Sequence, residues 1–143
     1  MNASDSILRF ERVRVAFDDV VALDDVSFSV RAGETCVVLG AAGSGKSVLL
    51  KTALGLIRPE SGRVFLFGQD ITSRREKELF DIRARVGMLF QESALFDSLT
   101  VAENVAYPLE NQRAVQCAES EVLPRVTEAL RNVELGHTLD KFP

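Results

Sequence analysis

Apolar and charged residues alternate from Ile7 to Phe17, with Leu8 and Phe10 on one phase and Val13, Val15 and Phe17 on the other. A period of two predicts a half-buried strand, and the phase change at Glu11-Arg12 predicts an irregularity in it. Asp18-Asp19 reads as a turn. The run Val20-Val21-Ala22-Leu23-Asp24-Asp25 reads as strand and turn. Val26, Phe28 and Val30 alternate with Ser27 and Ser29, which predicts another strand. An antiparallel β-layer therefore opens the chain. Arg31-Ala32-Gly33-Glu34 turns it into Thr35-Cys36-Val37-Val38-Leu39, a short β-prone apolar run read as a strand that buries Cys36.

From Lys46 to Leu54 the pattern changes to helix formers, with Val48, Leu49, Leu50, Ala53 and Leu54 supplying an apolar face. Arg58-Pro59-Glu60-Ser61-Gly62 breaks it, and Val64-Phe65-Leu66-Phe67 is a short strand closed by Gly68-Gln69-Asp70. Ser73 to Arg85 predicts a polar surface helix with Leu79, Phe80 and Ile82 facing inward. Val86-Gly87-Met88-Leu89-Phe90 reads as a buried strand ending at Gln91. Thr100 and Glu103 have the spacing of a capping box. Glu119 to Asn132 predicts a helix, with Val122, Leu123, Val126, Ala129, Leu130 and Val133 at helical spacing, despite Pro124 near its start.

One segment carries chemistry. Gly40-Ala41-Ala42-Gly43-Ser44-Gly45-Lys46-Ser47 fits the phosphate-binding loop Gly-x-x-x-x-Gly-Lys-Ser/Thr. Its glycines let the backbone turn so that N–H groups face a polyanion. Lys46 then reaches the β- and γ-phosphates, and the Ser47 hydroxyl ligates Mg²⁺. The loop lies between an apolar run and a helix, and the helix N-terminus adds partial positive charge beneath the phosphates. A glycine turn that binds nothing has no need of Lys46-Ser47 at its end.

Bulk properties narrow the class. The chain has 143 residues, 46% hydrophobic and 27% charged, as in a soluble globular domain. A net charge of −4 argues against nucleic acid as a main ligand. No apolar run approaches the roughly 20 residues that span a bilayer. The first six residues lack the pattern of a signal peptide. Cys36 and Cys117 are expected as free thiols.

With the loop, the β-layer and Gln91 placed, the sequence resembles the ATP-binding subunit of an ABC transporter from about Leu8 to Pro143. The resemblance implies an α/β fold: a P-loop NTPase core with an N-terminal antiparallel β-layer and the start of a helical subdomain. One domain is expected over 1–143, with the nucleotide-binding core at about 7–92 and the start of the helical part at about 93–143. Gln91 then falls in the family's Q-loop, where its amide meets Mg²⁺ and the attacking water beside the membrane subunits. Phe17 falls at the family's adenine-stacking aromatic. The implied ligand site is Phe17, Gly40, Ala41, Ala42, Gly43, Ser44, Gly45, Lys46, Ser47 and Gln91, with ATP and Mg²⁺ as cofactors. Ser47 and Gln91 would hold the metal, and Lys46 and Gln91 would carry the chemistry. The implied partners are transmembrane permease subunits and a second ATP-binding subunit, with no nucleic acid, on the cytoplasmic face of the cell membrane.

The run Gly87-Met88-Leu89-Phe90-Gln91-Glu92-Ser93-Ala94-Leu95-Phe96-Asp97-Ser98-Leu99-Thr100-Val101-Ala102-Glu103-Asn104-Val105-Ala106-Tyr107-Pro108-Leu109 is similar to the bacterial Mla-type, or toluene-tolerance, phospholipid transport ATPases. Ser47-Val48-Leu49-Leu50-Lys51 and Leu56-Ile57-Arg58-Pro59-Glu60-Ser61-Gly62 fit the same group. This implies phospholipid cargo moved across the bacterial envelope.

The family's Leu-Ser-Gly-Gly signature and its Walker B acids are not among these 143 residues, which contain no Gly-Gly pair. His137 reads as a surface residue. The tail Leu139-Asp140-Lys141-Phe142-Pro143 resembles the lead-in to the signature, so an incomplete domain with an open sheet edge is expected. The reading of a transport ATPase stands beside that of an ATP-binding or membrane-subunit-docking module without hydrolysis. A P-loop kinase or GTPase usually places its glycine loop after the first strand, whereas here an antiparallel layer comes first.

Overall fold

A computed structural model describes residues 6–90, 94–111 and 117–143. The chain divides into two compact units, Met1–Arg83 and Ala84–Pro143.

The first unit is built on an antiparallel sheet. Strand β1 (Ser6–Phe17) pairs with β2 (Val20–Arg31) across the Asp18-Asp19 turn. β3 (Ser61–Leu66) lies along the other side of β1, and the two-residue β4 (Gln69–Asp70) closes the order β2-β1-β3-β4. The phase change read at Glu11-Arg12 is a register shift, between Phe10 and Val13 against β2 and between Glu11 and Arg14 against β3. Arg12 sits there with φ 48°, a bulge conformation. The shift lets Phe10, Val13 and Val15 all enter the core. Phe10 stacks on Phe28 of β2 with ring centroids 4.8 Å apart. The β3–β4 turn is Phe67-Gly68, both at positive φ, as a type I′ hairpin requires.

Helix α1 (Lys46–Ala53) buries Leu49, Thr52 and Ala53. The Thr52 hydroxyl donates to the Val48 carbonyl at 2.7 Å, so its burial leaves no polar group unpaired. Leu50, read as inward, is 51% exposed. Helix α2 (Glu76–Arg83) starts later than the pattern suggests, because the Glu78 carboxylate accepts the Arg75 N–H and ends the preceding turn. Leu79 and Ile82 are buried one helical turn apart, whereas Phe80 is 62% exposed. Adjacent helical positions differ by about 100°, so Phe80 cannot share the face of Leu79.

Two strand expectations are corrected. Thr35 to Leu39 has no ladder partner among the described residues and runs as exposed chain, with Cys36 at the surface and Leu39 88% exposed. Val86 to Phe90 is likewise not a strand, with Val86 and Met88 half-buried and Leu89 94% exposed. An apolar run becomes a buried strand only where another strand takes its N–H and C=O groups, and local pattern does not supply that strand.

The second unit packs α3 (Val101–Asn111) against α4 (Glu119–Asn132). Ala106, Val126 and Leu130 are its buried centre, with Val101, Ala102, Val105, Leu109, Val122 and Leu139 around them. The bounds of α4 match those read from the sequence. Its inward stripe is narrower: Val122, Val126 and Leu130 at steps of four, while Leu123, Ala129 and Val133 are exposed. Pro108 and Pro124 both lie inside these helices.

Candidate functional site

The glycine loop leads directly into α1. Gly43 and Gly45 take φ 77° and 87°, left-handed values that side chains disfavour. Gly45 is the N-cap of α1 and contributes no side-chain cap. A Cβ on it would lie 2.4 Å from the Ala22 carbonyl oxygen and 3.4 Å from Leu23, so β2 presses on the backbone at the helix start. A Cβ on Gly40 would lie 2.4 Å from Ser44 Oγ. The loop itself is held by the Ser44 N–H, which donates to the Ala41 carbonyl at 3.3 Å.

The first bond of α1 runs from the Leu49 N–H to the Gly45 carbonyl at 2.8 Å. The N–H groups of Lys46, Ser47 and Val48 therefore have no acceptor within the helix. The first turn of α1 contains no acid, whereas α2 has Glu76 and Glu78, α3 has Glu103, and α4 has Glu119 and Glu121. Among the described helices, only α1 leaves its positive end without a carboxylate. Ala41 to Ser44 and Ser47 are exposed, so the loop amides and the Ser47 hydroxyl face solvent. The Lys46 ammonium folds back over the loop and donates to the carbonyls of Gly40 and Ala41, at 2.8 and 2.6 Å.

Phe17 ends β1 opposite Val20, 47% exposed. It shares the hairpin end whose Ala22 carbonyl touches Gly45, so the ring and the loop lie toward one end of the first unit. Val20 and Val21 beside it are also exposed, an apolar rim that the sequence reading did not assign to the site. Their exposure depends on the tight Asp18-Asp19 turn and has no signal in the alternation itself. Gln91 lies outside the described residues. No group of three or more metal-ligating side chains occurs among those described. The loop nevertheless suits a phosphate-bound Mg²⁺, because an exposed hydroxyl at the start of the helix is placed to serve as one of its ligands beside phosphate oxygens and water.

The ABC transporter family model matches residues 23–143. The chain belongs to the ABC transporter ATP-binding family. It is 44% identical over 120 residues to the "Probable ribonucleotide transport ATP-binding protein mkl" of Mycobacterium leprae, covering 84% of this chain and 34% of that protein. It is 39% identical over 141 residues to the methionine import ATP-binding protein MetN of Rhizobium johnstonii, covering 99% of this chain and 38% of that one. The chain thus spans little more than a third of these relatives. Among solved structures, cbiO1 of Clostridium perfringens, part of the ABC transporter complex cbiONQ, superposes with TM-score 0.81 at 30% identity over 96% of this chain and 54% of its own. A dimeric bacterial ABC transporter cassette superposes with TM-score 0.87 at 27% identity over 95% of this chain and 61% of its own. These neighbours bear out the fold class, an ABC ATPase core fronted by an antiparallel layer.

Both cysteines are free, Cys36 exposed and Cys117 half-buried. His137 is exposed, as read. No helix among the described residues is long and apolar enough to cross a membrane.

Proposed function

We propose that this chain supplies the phosphate- and base-binding half of an ATP site in an ABC transporter subunit, and that the whole subunit couples ATP binding and hydrolysis to transport. The observation that carries the reading is the start of α1. Its three orphan amides, its lack of a first-turn acid and the positive-φ glycines in front of it form one anion cradle. The loop amides and Lys46 take the phosphates, and Lys46 gives up its two carbonyl partners to do so. Ser47 takes Mg²⁺, with Gln91 as second ligand and water-positioning group. Phe17 stacks on the base. Mg²⁺ supplies charge neutralisation at the phosphates, while the chain's own groups bind and orient them. The signature loop and water-polarising acid of the resemblance are not among these 143 residues. A second subunit and membrane permeases complete the assembly, at the cytoplasmic face of the membrane.

Fluorescent ATP-analogue titration tests the site. Lys46→Ala is expected to weaken binding at least about tenfold. Phe17→Ala should weaken ATP and leave inorganic triphosphate unchanged. Unaltered nucleotide affinity in Lys46→Ala refutes the assignment.

For cargo, phospholipid is the reading supported by the 87–109 run. The names of the relatives point instead to ribonucleotide and methionine transport. The subunit reconstituted with its permease should hydrolyse ATP faster with phospholipid than with either of those solutes. Stimulation by methionine or a ribonucleotide alone overturns the lipid reading and leaves the ATP site standing.

A further inference from the structure

Helix α3 begins with donors that no residue ahead of it satisfies alone. The Val101 N–H donates to the Lys141 carbonyl at 2.8 Å, and the Ala102 N–H to the Leu139 carbonyl at 3.0 Å. The Glu103 N–H donates to Thr100 Oγ1 at 3.2 Å, and the Asn104 N–H to the Thr100 carbonyl at 2.9 Å. All four leading amides are accounted for, two of them by backbone from some 40 residues along the chain. That tail is itself shaped for the task. The Lys141 N–H closes a turn on the Thr138 carbonyl at 2.9 Å, and Leu139 packs beside Ala106, Val126 and Leu130.

The other side of the same helix end is held by Asn104. Its Oδ1 accepts the Phe96 N–H at 2.8 Å, and its Nδ2 donates to the carbonyls of Phe96, Leu99 and Thr100 at 3.0, 3.1 and 2.9 Å. These bonds fix the 96–100 turn and hold the Phe96 ring 4.8 Å from that of Tyr107. Leu95, Phe96 and Tyr107 are about half exposed there.

We propose that the first turn of α3 is a latch joining the 96–100 turn to the 138–141 tail, so that displacing one segment releases the other. A cap made by a neighbouring side chain frays locally, but here the acceptors belong to a distant segment. When the turn pulls Thr100 and the first helical residues out of line, the Leu139 and Lys141 carbonyls lose their donors. When the tail lifts, two orphan amides destabilise the helix start that carries Asn104. The device is independent of what the glycine loop binds.

Residue-resolved amide exchange on the whole chain tests it. Asn104→Ala is expected to speed exchange at Phe96 and, by about tenfold, at Val101, Ala102 and Lys141 together. In the reverse direction, Lys141→Pro removes the tail's turn bond without touching the apolar centre. It should speed exchange at Val101 and Ala102 and also at Phe96, by a similar factor. The amide of Val126, at the buried centre of α4, serves as reference, and its exchange stays unchanged if the unit remains folded. Acceleration confined to Phe96 in the first variant, or to Val101 and Ala102 in the second, overturns the latch and leaves two independent caps. If Asn104→Ala unfolds the unit, Asn104→Asp, which keeps the acceptor for Phe96 and loses the three donated bonds, is read at Val101, Ala102 and Lys141 instead; if Lys141→Pro does, Lys141→Gly, which loosens the tail without a ring, is read at Val101, Ala102 and Phe96.

Discussion

Gly45 lies against the carbonyl of Ala22 so closely that a Cβ would stand 2.4 Å from its oxygen. Gly43, two residues earlier, has similar left-handed φ but no heavy atom within 4 Å of a Cβ. The pair separates two costs. Gly43→Ala is expected to cost about 1 kcal/mol, the conformational penalty alone. Gly45→Ala adds a collision with sheet backbone and should cost more than about 2 kcal/mol. Urea unfolding of the two variants checks the order, and equal losses would remove Ala22 from the account of how the loop is positioned.

Gly62 repeats the relationship on β3. Its φ is 84°, and a Cβ would fall 2.2 Å from the carbonyl oxygen of Arg12 at the bulge of β1. Both atoms belong to paired strands, so neither can give way without loss of ladder bonds. Gly62→Ala should therefore cost at least as much as Gly45→Ala. Backbone chemical shifts should change on both β1 and β3. Changes confined to residues 60–64 would contradict the coupling.

The β-layer, the bulge, α4 and the capping box were legible in the sequence because each is set by neighbours along the chain. The shift from Phe10 to Val13 shows in the alternation itself, and the bulge is its only solution. Thr100 and Glu103 meet because three residues separate them. Thr35 to Leu39 and Val86 to Phe90 misled for the opposite reason. Their β-prone composition says that they tolerate an extended ladder, and nothing in five residues says which strand completes it. The phosphate loop was legible as a motif, yet the pressure of Ala22 on Gly45 depends on a hairpin that approaches from outside the motif. The tail carbonyls at α3 are invisible to any local pattern.

The Glu103 carboxyl is held below the ordinary glutamate range, first by the Thr100 N–H and then by the Thr100 hydroxyl. The distances are 2.7 and 2.9 Å. Glu78 is lowered in the same way, first by the Arg75 N–H. A carboxylate with a lowered folded pKa binds fewer protons folded than unfolded between the two values. Its contribution is complete above the unfolded pKa and is lost as pH falls through the folded one. Stability of the second unit should therefore drop below the ordinary carboxylate range. Glu103→Gln should flatten that drop, and Thr100→Ala should return the Glu103 titration, followed by NMR, toward its ordinary value. Identical acid profiles for Glu103→Gln and the parent chain would sink the linkage.

Arg83 closes the far end of the phosphate-loop helix. Its Nε donates to the Leu54 carbonyl at 2.8 Å and its Nη2 to the Gly55 carbonyl at 3.0 Å, while Nη1 pairs with Glu76. The side chain is only 19% exposed, so these bonds are partly shielded from water. Three groups meet one planar fork, and the positive charge complements the carbonyl end of α1. Arg83→Ala should cost about 2 kcal/mol, the range for bonds to a charged donor, because two carbonyls lose their partner. Arg83→Lys restores the charge but not the fork, since one ammonium cannot span both carbonyls and Glu76 in the same plane. It should recover less than half of the loss in urea unfolding. Full recovery by lysine would show that charge alone holds the helix end, and that the arrangement of the guanidinium over Leu54 and Gly55 contributes nothing.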